Sequence, residues 1–156
     1  MGIVRFFRNS GAFVGSIVLL IMRLYWGYQF FQIGWIKLGD LASVEAMFED
    51  LGIIYPVAMS QLVAYVETIG GLCLVFGFLS RLAAIPLIIT MLTAYMTAHF
   101  DAVLVIFTNP DVFMDQKPFM FLLTSLFVFS YGAGFFSLDY YFTRRPRRKA
   151  VEEEAE

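Results

Sequence analysis

The fold this sequence predicts is an all-helical integral membrane protein, a four-helix bundle with both termini in the cytoplasm. Three observations predict it. Hydrophobic residues fill 60% of the 156 positions and charged residues 15%, with a mean hydropathy of +0.74, more apolar surface than one water-soluble core hides. Four segments, about 12–33, 57–79, 82–98 and 118–136, each approach the ~20 residues that carry a helix across ~30 Å of hydrocarbon. Finally, Arg5, Arg8, Arg81, Arg144, Arg145, Arg147, Arg148 and Lys149 fall on one side of that topology. The other side holds Lys37 and Lys117 among Asp40, Glu45, Glu49, Asp50, Asp101, Asp111 and Asp115. An excess of Lys and Arg marks cytoplasmic segments. Lipid offers the backbone no hydrogen-bond partners, and no alternating pattern suggests a barrel, so the spans are helices.

Taken in order, residues 1–11 are expected to form a cytoplasmic N-terminus, 12–141 the membrane domain and 142–156 a charged cytoplasmic tail. The start imitates a signal peptide, but Arg23, Leu24, Tyr25 and Trp26 follow the apolar stretch with no small-residue cleavage site, which fits an uncleaved first span. From Asp40 to Leu51, apolar Leu41, Val44, Met47, Phe48 and Leu51 recur at helical spacing between acidic residues. This predicts a short amphipathic helix on the outer membrane surface, closed by Gly52. Ser80 and Arg81 make a tight turn that sets the second and third spans antiparallel. Residues 100–117 admit three readings: an extension of the third helix, a re-entrant dip, or a cap on the bundle.

The polar residues inside the spans carry the functional information. Arg23 and Glu67 each lie about ten residues into a span, ~15 Å deep at 1.5 Å per residue, where a lone charge costs at least ~2.5 kcal/mol. Matching depth predicts that they pair. The pair either holds two helices in register or lines a cavity that meets a head group or a proton. Gly70 and Gly71 share the Glu67 face and would let another backbone approach. Gln29 and Gln32, Gln61, Tyr65 and Thr68, and Thr90, Thr93 and Thr97 form polar stripes that could line a cavity opening outward. The threonines also fit bonding back to their own helices. His99, with Lys37 at a similar level, suits either an interfacial hydrogen bond or a proton donor at a quinone-sized pocket.

Several functions are excluded. One histidine and one cysteine, Cys73, give neither a disulfide nor a metal or bis-histidine haem site within the chain. Glycine-rich nucleotide loops are absent, and a net charge of −2 argues against nucleic acid as a partner.

These residues resemble a known pattern. Arg23, Leu24, Gly27 and Lys37, then Glu67, Gly70 and Gly71, then Gly77, Ser80, Arg81, Ala83 and Ala84, then Met91, Ala94 and His99, and finally Gly132, Gly134, Ser137, Leu138 and Asp139 look like those of the DoxX family. The likeness runs from about Leu20 to Tyr141. It departs at Ala133, where proline is common, and at Ser80, where threonine is. The resemblance implies a bacterial or archaeal inner-membrane four-helix bundle. Relatives are associated with sulfur-compound oxidation feeding quinone and with membrane oxidoreductase complexes, and distant ones act as assembly factors. The leading expectation is therefore a subunit of a quinone-linked membrane oxidoreductase. It would have no catalytic residue or covalent cofactor of its own and would offer a cleft to a quinone or lipid, with another redox subunit and the bilayer as partners. The rival is a non-enzymatic scaffold or assembly factor docking through aromatics such as Phe119, Phe121 and Phe127. A small transporter is the weaker third, since no repeat or broken helix is visible.

Overall fold

A computed structural model describes residues 2–142, with side chains from residue 11 onward apart from residue 12. The basic cluster and acidic tail beyond 142 lie outside the described residues, as do the side chains of Arg5 and Arg8. Every element described is helical: α1 Gly2–Gly39, α2 Leu41–Asp50, α3 Pro56–Phe76, α4 Ser80–Ala98, α5 Phe100–Leu104, α6 Pro110–Met114 and α7 Pro118–Tyr131. Among the described residues three helices are long and apolar enough to cross a membrane, namely Phe13–Gly39 within α1, α3 and α4. Their outer faces are apolar too. Ile21, Leu62, Ile69, Leu82 and Ile89 are each more than half exposed, a surface that belongs in lipid.

Several boundaries differ from the hydropathy reading, two of them for a plain local reason. The first helix runs on to Gly39, past the expected end near residue 33, because nothing between Ile33 and Gly39 breaks it. Lys37 is thus helical. At the other end, α7 stops at Tyr131, short of the expected 136, because Gly132 takes a positive φ of 77° and caps it. Its 14 residues span ~21 Å at 1.5 Å per residue.

The short amphipathic helix is present. Asp40 caps α2 by accepting from the Ser43 N–H at 3.2 Å and the Ser43 hydroxyl at 2.6 Å, bonds that hold its carboxyl below the ordinary range. Val44 and Phe48 are buried, and the chain leaves through Gly52 at φ 68°. Residues 100–117 cap the bundle. Phe113 stacks on Tyr95 at 4.3 Å, and the Tyr95 hydroxyl donates to its carbonyl at 2.9 Å.

In space α1 packs on α3, α3 on α4, α4 on α7 and α7 back on α1. Phe30, Leu74, Leu87, Tyr95 and Val128 fill the middle. Phe121 is buried there, edge-on to Phe30 at 4.6 Å and Trp26 at 5.0 Å. It therefore cannot serve as an exposed docking aromatic, whereas Phe127 is exposed. The α1–α3 seam is tightest. A Cβ on Gly71 would stand 2.5 Å from the Phe31 nitrogen and 2.6 Å from the Gly27 oxygen, and one on Gly34 would stand 2.5 Å from the Thr68 nitrogen. Gly70 faces the other way, against Leu87 of α4. The two glycines predicted to allow close approach thus serve different neighbours.

Gly71→Ala should therefore lose about 1–3 kcal/mol, the usual cost of overpacking against immovable backbone. Gly39→Ala, whose added carbon meets nothing within 4 Å, should lose none. Thermal unfolding in mild detergent checks both, and equal midpoints would contradict the seam.

Candidate functional site

Two charged centres lie inside the helices, and each has its own partners. The first is an ion pair across the α1–α3 seam. Lys37 sits near the end of α1, and its long side chain brings the ammonium 2.8 Å from Glu67 Oε1 and 2.7 Å from Oε2. Oε1 accepts the hydrogen bond from the ammonium and Oε2 shares the ionic contact. The Glu67 side chain is 3% exposed and that of Lys37 21%. The ammonium therefore links a buried carboxylate to the edge of the bundle.

The second centre is Arg23, 1% exposed. Its Nη1 donates to the Ala133 carbonyl and its Nη2 to the Phe136 carbonyl, the latter at 2.9 Å. Gly77 makes room, since a Cβ there would lie 2.9 Å from Nη1 and 3.0 Å from Nη2. The segment that Arg23 holds is knitted to the α3–α4 turn. The Asp139 carboxylate accepts from the Leu79 and Ser80 N–H groups at 2.7 and 2.9 Å, and its own N–H donates to the Gly77 carbonyl at 2.9 Å. Leu79 is held in a left-handed turn at φ 46°. In effect Asp139 caps α4 from 60 residues away.

The expected Arg23–Glu67 pair is thus replaced by Lys37–Glu67 and an Arg23–carbonyl clamp. Depth counted from span ends gave the wrong register. In the folded seam Gly27 meets Gly71 and Leu74, which puts Arg23, one turn earlier, beside Gly77. Glu67 is ten residues away along α3, ~15 Å at 1.5 Å per residue. Lys37, by contrast, is drawn to Glu67 from the α2 end.

The other predicted residues do not converge. Gln32 is exposed and donates to the Tyr28 hydroxyl at 3.0 Å, Gln61 is exposed and Gln29 half-buried. His99 joins α4 to α5 with its ring 6.2 Å from Tyr95, edge-on. Thr90, Thr93 and Thr97 all bond back to carbonyls four residues earlier at 2.9 Å. Tyr65 borders an apolar crevice of about 320 Å³ between α3 and α4. Val66, Ile69, Gly70, Cys73 and Pro86 help to line it. Sequence reasoning missed Gly34 and the capping role of Asp139. The seven-residue spacing of Gly27 and Gly34 was the available signal for the first, and nothing local marked the second.

The sequence has relatives among known proteins. The DoxX family profile matches residues 18–100. A Bacillus subtilis protein named "Putative oxidoreductase CatD" is 27% identical over 124 residues, covering 80% of this chain and 86% of its own length. A Haemophilus influenzae protein named "Uncharacterized protein" is 29% identical over 131 residues, covering 81% and 84%. No solved structure matches.

The ion pair makes a direct prediction. Lys37→Met and Glu67→Leu should each lose about 3–5 kcal/mol by stranding the other charge, and the double substitution should lose clearly less than their sum. Unfolding midpoints of the four proteins in detergent give the coupling. Arg23→Met with Glu67→Leu should be additive.

Proposed function

The chain belongs to the DoxX family, and from that premise we propose that it is an integral subunit of a quinone-linked oxidoreductase complex in the inner membrane. Its part is to hold a quinone or lipid-like molecule. The carrying observation is the crevice between α3 and α4, about 320 Å³ and almost wholly apolar, with the Tyr65 ring at its edge. Its size and lining fit a benzoquinone-sized group, for which pockets of ~300–1,000 Å³ are usual. Tyr65 would orient the head group through its hydroxyl, while Ile69, Cys73 and Pro86 exclude water. A bound quinone would supply a two-electron, two-proton acceptor. With a single histidine and a single cysteine the chain offers no ligand set for a redox centre, so a partner subunit delivers the electrons. The oxidoreductase name carried by the Bacillus subtilis relative supports the same reading.

In this reading the membrane domain spans 12–141 and crosses four times. α7 completes the fourth crossing together with the turn at 132–136, and both termini lie in the cytoplasm with the basic residues. The scaffold alternative rests on one observation, the almost complete exposure of Phe107 on the bundle cap, at 97%.

Protein extracted in mild detergent should carry quinone in its organic extract. Ala83→Phe, which fills the crevice from α4, should lower that content about tenfold without moving the unfolding midpoint. Tyr65→Phe should lower it a few-fold, as expected for one hydrogen bond of ~1 kcal/mol. A stable protein partner with no quinone in the extract would replace this proposal with the scaffold.

A further inference from the structure

A second recess lies at the Gly77 end, and its chemistry differs from that of the crevice. The early part of α1, the α3–α4 turn and the segment after α7 enclose an open groove of about 860 Å³. Its floor exists because Gly11 and Gly15 carry no side chain, and a Cβ on either would meet nothing within 4 Å. Leu19, Leu79 and Leu82 wall it. The cation at its rim is Arg81, whose Nη2 donates to the Ser130 carbonyl at 3.3 Å. Its guanidinium lies against Gly132, where a Cβ would stand 3.2 Å from Nε and 3.5 Å from Nη2. The backbone therefore fixes the orientation of Arg81 without neutralising it. No ion pair among the described residues involves Arg81. The carboxylate in the lining, Asp139, is already bonded to the first N–H groups of α4, where a helix start favours negative charge.

We propose that this groove binds an anionic phospholipid, with the phosphodiester on Arg81 and the upper part of one acyl chain laid over Gly11 and Gly15 along the leucines. A planar guanidinium matches two phosphate oxygens at once. The leucine walls favour a lipid over free phosphate, which brings no apolar group to cover them. Charge favours an anionic lipid over a zwitterionic one. Asp139 lies against Arg23 and holds the start of α4, so Arg81 is the cation that the rim presents.

The test is native mass spectrometry of the full-length protein in detergent with added phosphatidylglycerol or phosphatidylcholine. Phosphatidylglycerol should be retained at least about tenfold better. Arg81→Gln should abolish the preference, and Arg81→Lys should keep only part of it. Gly15→Trp leaves every charge in place and fills the groove, and it should also abolish retention. Arg147→Gln with Arg148→Gln in the tail should leave the preference intact, and inorganic phosphate at millimolar concentration should not displace the lipid. Equal retention of the two lipids would overturn the proposal. So would a preference that survives both Arg81→Gln and Gly15→Trp, a preference lost only in the tail variant, or displacement by free phosphate. The quinone content of the extract should be unchanged in Arg81→Gln, which separates this site from the crevice.

Discussion

Neutralising Glu67 inside the α1–α3 seam is the constraint on which the rest of this structure depends. A buried carboxylate among apolar helices is costly alone and tolerable only with a counter-charge in contact. The counter-charge comes from Lys37, and it can arrive only if α1 continues as helix beyond the hydrophobic stretch and lies close to α3. Gly27, Gly34 and Gly71 supply that closeness. Sliding the helices by one turn would break the ion pair and set side chains against the glycine faces together. Charge and packing therefore select one register.

That register fixes the far end of the molecule. With Gly27 against Gly71, Arg23 falls beside Gly77, where it reaches the Ala133 and Phe136 carbonyls. These carbonyls are free to accept because α7 has ended at Gly132. Asp139 then ties the same segment to the start of α4. One seam thus determines where the post-α7 segment docks, and the docked segment shapes the groove around Arg81. The crevice beside Tyr65 lies on the α4 side of α3, away from the seam, and shares Leu79 and Leu82 with the groove.

Much of the architecture was legible in the sequence because the relevant forces are local. Apolar run length marked α1, α3 and α4, the spacing of Val44 and Phe48 with Asp40 ahead and Gly52 behind marked α2, and the threonine stripes resolved into backbone bonds. Membership of the DoxX family was legible from motifs spread along the chain. The partner of Glu67 was not. Depth along a span is a one-dimensional measure, and it cannot register a glycine contact that slides one helix against another or a lysine that reaches back along its own helix. The early end of α7 escaped for a related reason, since hydropathy continues through Phe135 and Phe136 while the backbone turns at Gly132. The glutamines were attractive as a stripe, yet Gln32 finds its partner at Tyr28 on the same helix. Tyr65 was a candidate ligand residue in the sequence, and it borders the crevice between α3 and α4.

Solid-state NMR dipolar recoupling in lipid bilayers, from nitrogen-15 at lysine Nζ and, in a second sample, at the arginine guanidinium to glutamate labelled with carbon-13 at Cδ, measures the pairing without perturbing it. The structure predicts strong dephasing for one lysine, at a separation set by the 2.7 and 2.8 Å contacts, and its disappearance in Lys37→Met. Strong dephasing between the Glu67 carboxyl carbon and the Arg23 guanidinium, with none at Lys37, would contradict the seam and the register built on it.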